Sequence, residues 1–223
     1  MSPDGILKRS ILSGIFLTCA AFASSGEISD DFERSEVGDA WTGHMYSFSI
    51  KDGALVASQL PDAGHGAVIR TQLDFRNMKI DFDVKFEGGE RFNFVIDDKN
   101  CEEVHAGHIC RVSITRNRLT VQDDRNGAMN LKLRELRKQP EKAAEIEAFL
   151  ETTKSSGDFE FLDGRWYHMQ VVIENNQMSA SLDGKIVAKL TSPGIAHPTK
   201  TQFGFTVTGR DILFDNVVAV GTK

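Results

Sequence analysis

The chain has 223 residues, a formal net charge of −6 and a pI near 5.5. Its 26 Lys and Arg are scattered rather than gathered into a basic stripe, which argues against nucleic-acid binding. The length suits one large domain, and fifteen Phe beside two Trp and two Tyr point to a Phe-rich core rather than an aromatic display surface.

The first 23 residues have the layout of a signal peptide. Lys8 and Arg9 form a positive start, Ile11 to Phe22 a short apolar run, and Ala21-Phe22-Ala23 a small-x-small cleavage site. The apolar run is too short to span a bilayer. An uncleaved anchor and acylation of Cys19 are the alternatives, although Phe16-Leu17-Thr18 is a poor acylation motif. No other apolar run is long enough to cross a membrane. The expected mature protein is residues 24–223: exported, monomeric and free of the membrane once cleaved.

After the leader the sequence reads as β-strands. Asp30-Asp31-Phe32-Glu33-Arg34 opens the folded part. Phe48 and Ile50, then Leu55 to Ser58, flank Asp52-Gly53 as a hairpin. Ala67 to Thr71 follows. In Lys79 to Phe86, Ile80, Phe82, Val84 and Phe86 alternate with Asp81, Asp83 and Lys85, the period of a half-buried strand. Gly88-Gly89 reads as a turn into Arg91–Ile96, with Phe92, Phe94 and Ile96 inward and Arg91, Asn93 and Val95 on the other face. Ile109–Thr115 and Arg118–Gln122 make a hairpin about Asn117.

One segment breaks the pattern. Residues 128–156 are rich in Lys, Glu, Leu and Ala, and 141–153 has helical spacing, with Ala144, Ile146, Phe149 and Leu150 as the apolar side. Such an insertion either covers a sheet edge or acts as a lid. Strands then resume. Tyr167, Met169, Val171 and Ile173 alternate with Trp166, His168, Gln170 and Val172. Asn175-Asn176 and Asp183-Gly184 supply two turns that tolerate positive φ, giving a three-stranded meander to Leu190. Phe203, Phe205 and Val207 mark a late strand. The expected fold is all-β, a two-sheet antiparallel sandwich with one inserted α-helix near 141–153.

The chemistry is concentrated between Asp97 and Arg111. Asp97-Asp98 ends one strand, His108 begins the next, and Asp123-Asp124 follows two strand lengths later. An up-down-up path brings these ends to one rim. A His beside carboxylates is suited to acid–base work near neutral pH. His105, His108, Asp97 and Asp123 are therefore the candidate catalytic groups. Arg111, Asp98, Asp124, Asn93 and His168 are the candidate substrate contacts, the last two from outward strand faces. Trp166 shares such a face and would stack on a sugar if that face is concave. Asp-Asp and Asp-x-x-Asn-Gly are also ordinary turn residues. In an oxidising compartment Cys101 and Cys110, with eight residues between them, are expected to form a disulfide. Reduced thiols on facing strands are the alternative. A zinc site with His105 and His108 would need a Cys-x3-His-x2-His-x-Cys order that matches no common spacing. No metal or cofactor is expected apart from calcium, which the acidic rim leaves open. The rim lacks an Asp-x-Asp-x-Asp-Gly loop, since Gln122 stands where the first Asp is required.

Two resemblances rest on these residues. The Gly164-Arg165-Trp166-Tyr167-His168 strand, its hairpin, and the strand ending at Asp183-Gly184 resemble the concanavalin A-like and laminin-G-like jelly rolls. The start at Phe32, the following Trp41, the Asp52-Gly53-Ala54-Leu55 strand and the closing Ile212–Val218 strand resemble the 3-keto-disaccharide hydrolase domain family of exported bacterial proteins. That resemblance implies a jelly roll whose first and last strands are neighbours, and a saccharide ligand or substrate. Members often carry an Asn-Ser-Gly-hydrophobic stretch where this chain has Phe92–Asp97. The Glu-x-Asp-x-x-Glu strand of laminarinase-type jelly rolls is missing too, Asp81-Phe82-Asp83 with Glu87 being the nearest match. No Gly-x-Ser-x-Gly elbow, His-Glu-x-x-His or phosphate loop is present. The expectation is an exported hydrolase acting on glycosidic bonds, either a glycoside or a 3-keto-disaccharide hydrolase. A non-catalytic glycan-binding module and a structural envelope domain are the alternatives.

Overall fold

The computed structural model describes residues 24–223. The leader read at 1–23, with Cys19, lies outside them. In chain order the strands are β1 (Ser24–Asp30), β2 (Thr42–Gly43), β3 (Phe48–Lys51), β4 (Ala54–Ala57), β5 (Ala67–Phe75), β6 (Asn77–Asp97), β7 (His108–Thr115) and β8 (Arg118–Asp123). Helices α1 (Leu131–Leu136) and α2 (Pro140–Thr152) follow. β9 (Lys154–Asp158), β10 (Trp166–Glu174), β11 (Gln177–Leu182), β12 (Lys185–Thr191) and β13 (Lys200–Thr222) complete the fold.

The organising feature is a long ribbon. β6 and β13 pair antiparallel from Asp97–Gln202 to Asn77–Thr222. The first half of β6 carries β10, β11 and β12 on its free edge, and the second half carries β7, β8 and β9. The free edge of β13 carries β5, β4 and β1 in turn. Gly88-Gly89 is therefore not a turn between two strands, as its composition predicts, but a bend within one. The register shifts there against Gly209 and Asp211, Gly88 has φ 93°, and a Cβ on Gly89 would lie 2.3 Å from Ile212 Cγ1. Only long-range pairing with β13 distinguishes that bend from a turn.

The bend lays the two halves over one another and closes a Phe-rich core. Phe82 from one half meets Phe94 and Phe205 from the other, with ring centroids 5.8 and 5.2 Å apart, and Phe205 stacks on Phe214 at 4.1 Å. This is the antiparallel sandwich expected from the alternation, and the jelly roll that the resemblance implies. The first and last strands pair, as expected. Asp30, at the end of β1, accepts from Trp41 Nε1 at 2.7 Å and from both terminal nitrogens of Arg34 at 2.6 and 2.8 Å. Those bonds pin the acidic opening, whose Phe32 is fully buried with φ 50°.

The expected turns at Asp52-Gly53 and Asp183-Gly184, with Asn175 between β10 and β11, are present with positive φ. The insertion holds two helices rather than one. α1 starts at Asn130, whose side chain accepts from the backbone N–H of Lys132 and Leu133. α2 buries Ile146 and Leu150, while Ala144 and Phe149, assigned to its apolar side, face solvent. Cys101 and Cys110 are free thiols, not the expected disulfide. Cys110 points into the core from β7, and burial pushes its thiol pKa far up. Among the described residues no helix is long and apolar enough to cross a membrane.

Candidate active site

The outward face of the β7 sheet can be built row by row from its registers. One row runs Arg70, Gly204, Val95, Arg111, Gln122, Lys154 across five strand junctions. The next runs Val68, Thr206, Asn93, Ser113, Thr120, Ser156. Asp97, Gln202 and His108 lie at the end nearest Arg70 and Arg111. Gly204 is what allows this crowding: a Cβ there would lie 2.0 Å from Ile69 O and 2.9 Å from Arg70 Cγ. Without a side chain on β13 at that point, Arg70 can lie across it and reach β6.

Asp97 is the hub. It has no exposed surface. Its Oδ2 accepts from Arg70 Nε at 2.5 Å and from Gln202 Nε2 at 3.4 Å, and its Oδ1 meets His108 Nδ1 at 2.6 Å. Burial raises the Asp97 pKa, but the His108 hydrogen bond and the charges of Arg70 and His108 more than offset it. Asp97 therefore stays ionised below the usual carboxylate range. The ionised Asp97 accepts a hydrogen bond from His108 Nδ1–H, so the neutral form of His108 carries its lone pair on Nε2. That is the arrangement of a histidine general base oriented by a carboxylate.

A tight loop makes the pair possible. Asp98 N–H donates to Gly107 O at 2.9 Å. Gly107 has φ 76°, and a Cβ there would lie 2.5 Å from Asp98 O. The loop so closed sets His108 directly opposite Asp97. His105, in its last turn, is exposed, with its ring centroid 6.3 Å from that of His108.

Asp124, the residue after β8, joins the row through Arg111. Its N–H donates to Ile109 O at 3.0 Å, one residue from His108, and its Oδ2 accepts from Arg111 Nε at 2.5 Å. Burial pushes the Asp124 carboxyl above its usual range despite Arg111. Asp124 Oδ1 and Arg111 Nη2 are both buried without a hydrogen-bond partner. Asp124 lines a cavity of about 140 Å³ that Glu147 and Leu150 of α2 wall.

The other nominated residues separate from this group. Asp123 faces the opposite side of β8, where it accepts from Ser192 Oγ, from Gly194 N at 2.9 Å and from Asn126 N at 2.9 Å. It anchors the turn after β12. Asp98 likewise accepts from Thr199 Oγ1 at 2.6 Å, His197 Nε2 at 3.0 Å and Asn100 N at 2.9 Å. Asn93 is on the correct face, bonded to Thr206 Oγ1 at 2.7 Å. His168 is on the far side of the sandwich, 3.0 Å from Asp83 and 3.3 Å from Asp81. The hydrogen bond that its ring donates to Asp83 raises its pKa, against partial burial. Among the described residues no group of three or more His, Cys, Asp or Glu is placed to hold a metal ion. Arg70, Gln202, Gln122 and Lys154 belong to the site and were not nominated from sequence. Their only signal was an outward position on a strand.

Residues 27–219 match the model of the 3-keto-alpha-glucoside-1,2-lyase-like domain. None of the curated proteins matches the chain. Among solved structures, SCLam, a non-specific endo-beta-1,3(4)-glucanase of family GH16, is similar with a TM-score of 0.58 at 10% identity, over 92% of each chain. The carbohydrate-binding module CBM66 from Bacillus subtilis superposes with a TM-score of 0.54 at 12% identity, over 83% of this chain and 98% of its own. The Emp47p carbohydrate recognition domain gives 0.57 at 12% identity, over 91% and 97%. At such identities these likenesses show the concanavalin-like fold alone.

Proposed function

The chain belongs to the 3-keto-alpha-glucoside-1,2-lyase-like domain family, and from that membership we propose that it is an exported enzyme that cleaves the glycosidic bond of 3-keto disaccharides. A ketone at C3 of a sugar acidifies the hydrogen on C2. A base that removes this hydrogen allows the C1–O bond to break without an oxocarbenium ion or a carboxylate nucleophile. The observation that carries this reading is the His108–Asp97 pair. Asp97 is buried and ionised, Arg70 and Gln202 hold it from the far side, and it accepts from His108 Nδ1–H, the tautomer that keeps Nε2 free to act as a base. General-base catalysis of this kind contributes ~10²–10⁴-fold. Removal of the C2 hydrogen also accounts for a site with one histidine base rather than the paired carboxylates of ordinary glycoside hydrolysis.

Structural likeness to a carbohydrate-binding module favours a second reading, a lectin-like domain, and its natural platform would be Trp166 on the β10 sheet. Trp166 is 39% exposed, but Lys85 Nζ sits over one face of its ring, 5.0 Å from the centroid. That contact weighs against the second reading.

The test is product release by residues 24–223 from ordinary and 3-keto disaccharides, with and without a chelator, in D2O. Turnover of the 3-keto substrates with deuterium entering at C2, reduced at least ~100-fold in a folded His108→Ala variant, is the expected result. Full turnover in that variant would remove His108 from the chemistry. Binding without turnover of any sugar would establish the lectin-like reading.

A further inference from the structure

We infer that the cavity under α2 is the subsite for the departing sugar and that Asp124 protonates its oxygen. This inference rests on the outer face being the site of glycosidic cleavage. The cavity is lined by Gln122, Asp124, Arg137, Glu147, Leu150 and Lys154, among others. Its volume of about 140 Å³ is well below the ~300 Å³ at which pockets for larger ligands begin, so it admits one small ring and not an oligosaccharide. An amide, an ammonium and a carboxylate around one aliphatic side chain suit a polyhydroxylated ring.

Geometry places an acid beside the base. The proton leaving C2 and the proton arriving at the oxygen on C1 act on neighbouring positions of one molecule. Asp124 directly follows β8, and its N–H donates to Ile109 O at 3.0 Å, next to His108 at the start of β7. Asp124 bonds Arg111 of the outward row, and His108 bonds Asp97 at the end of that row. Asp124 spends Oδ2 on Arg111 and keeps Oδ1 buried without a partner. Burial keeps its carboxyl protonated into a higher pH range than an ordinary carboxyl. An unused oxygen on such a group is a proton donor waiting for an acceptor.

The step balances. His108 Nε2 takes the C2 hydrogen, the C2–H electron pair forms the C1–C2 double bond, and the C1–O bond breaks toward the leaving sugar. Asp124 gives that oxygen a proton. The products are the departing sugar and an unsaturated 3-keto sugar, which water converts to the 3-keto monosaccharide. Proton exchange with solvent restores His108 and Asp124.

The test compares a 3-keto disaccharide with 4-nitrophenyl and methyl 3-keto-glucosides. A nitrophenolate leaves without protonation, and a methoxide occupies no sugar subsite. Asp124→Asn should lose ~10²–10⁴-fold on the disaccharide and at least ~10-fold less on the nitrophenyl substrate. Lys154→Ala should raise KM for the disaccharide ~10-fold, the worth of one ~1.4 kcal/mol contact, and at least ~5-fold more than for the methyl glucoside. Lys154 lies at the cavity rim, so this second comparison stands even if Asp124→Asn does not fold. Losses equal across leaving groups, in a wild type that is active, would overturn the inference and leave the cleavage reading intact. A wild type inactive on every 3-keto glycoside would remove both.

Discussion

Replacing Asp97 by Asn should damage the protein in two separable ways. The carboxylate is fully buried, 2.5 Å from Arg70 Nε and 2.6 Å from His108 Nδ1, while the Arg70 side chain is 18% exposed. Breaking a buried pair costs ~3–5 kcal/mol, and the partial solvation of Arg70 brings the expected loss to about 2–4 kcal/mol. The pH dependence has a defined sign. The folded pKa of Asp97 is depressed, so its contribution is present above the unfolded value of ~3.9 and is lost as pH falls through the lower folded value. The stability difference between wild type and variant, measured by urea unfolding, should be constant from pH 5 to 8 and shrink below pH ~4. The catalytic effect comes from the tautomer. An Asn that turns its amide toward Nδ1 makes that nitrogen the acceptor and places the proton on Nε2. The rate should then fall ~10²–10⁴-fold, equal to about 2.7–5.4 kcal/mol of barrier. A folded variant within ~10-fold of wild-type kcat would refute the orienting role and leave Asp97 as scaffold.

Other outcomes follow from geometry. Gly204→Ala would drive a Cβ into Ile69 O at 2.0 Å, so β5 must separate from β13. About 1–3 kcal/mol of stability should be lost, read by urea midpoint, along with part of the activity as Arg70 moves. Asp123→Ala strips partners from Ser192, Gly194 and Asn126. Its melting temperature should fall, with about 2–4 kcal/mol lost, whereas the folded fraction keeps kcat within ~10-fold. Residues 24–223 should titrate two thiols without reductant, Cys101 at once and the buried Cys110 only in denaturant. Mass spectrometry showing a linked pair would contradict the free thiols.

The meander from Trp166 to Leu190 was legible because two independent signals coincided: period-two apolar residues, and turn residues that adopt positive φ. Gly88-Gly89 carried only the second kind of signal, and the same residues serve a turn or a bend. The His108–Asp97–Asp124 group could be read from hairpin parity, since two strand lengths return the chain to the same end. Parity also limits it. Neighbouring residues on a strand face opposite sides, so Asp97 and Asp98, or Asp123 and Asp124, could not all share one site. Asn93 and His168 both point outward, but from different sheets. Arg70 gave no local signal, because its partner lies 27 residues away and the glycine that admits it is Gly204.

The β6–β13 ribbon has a kinetic consequence. Its pairs join residues separated by 105 positions at Asp97–Gln202 and by 145 at Asn77–Thr222. Both sheets are built on it, so neither has its central pair until β13 has emerged. Topologies dominated by such distant pairings fold in ~milliseconds to seconds rather than microseconds. The nascent chain therefore spends its synthesis without a completed layer. Stopped-flow refolding of residues 24–223 with and without β13 should show a single slow phase in the first case and no native signal in the second.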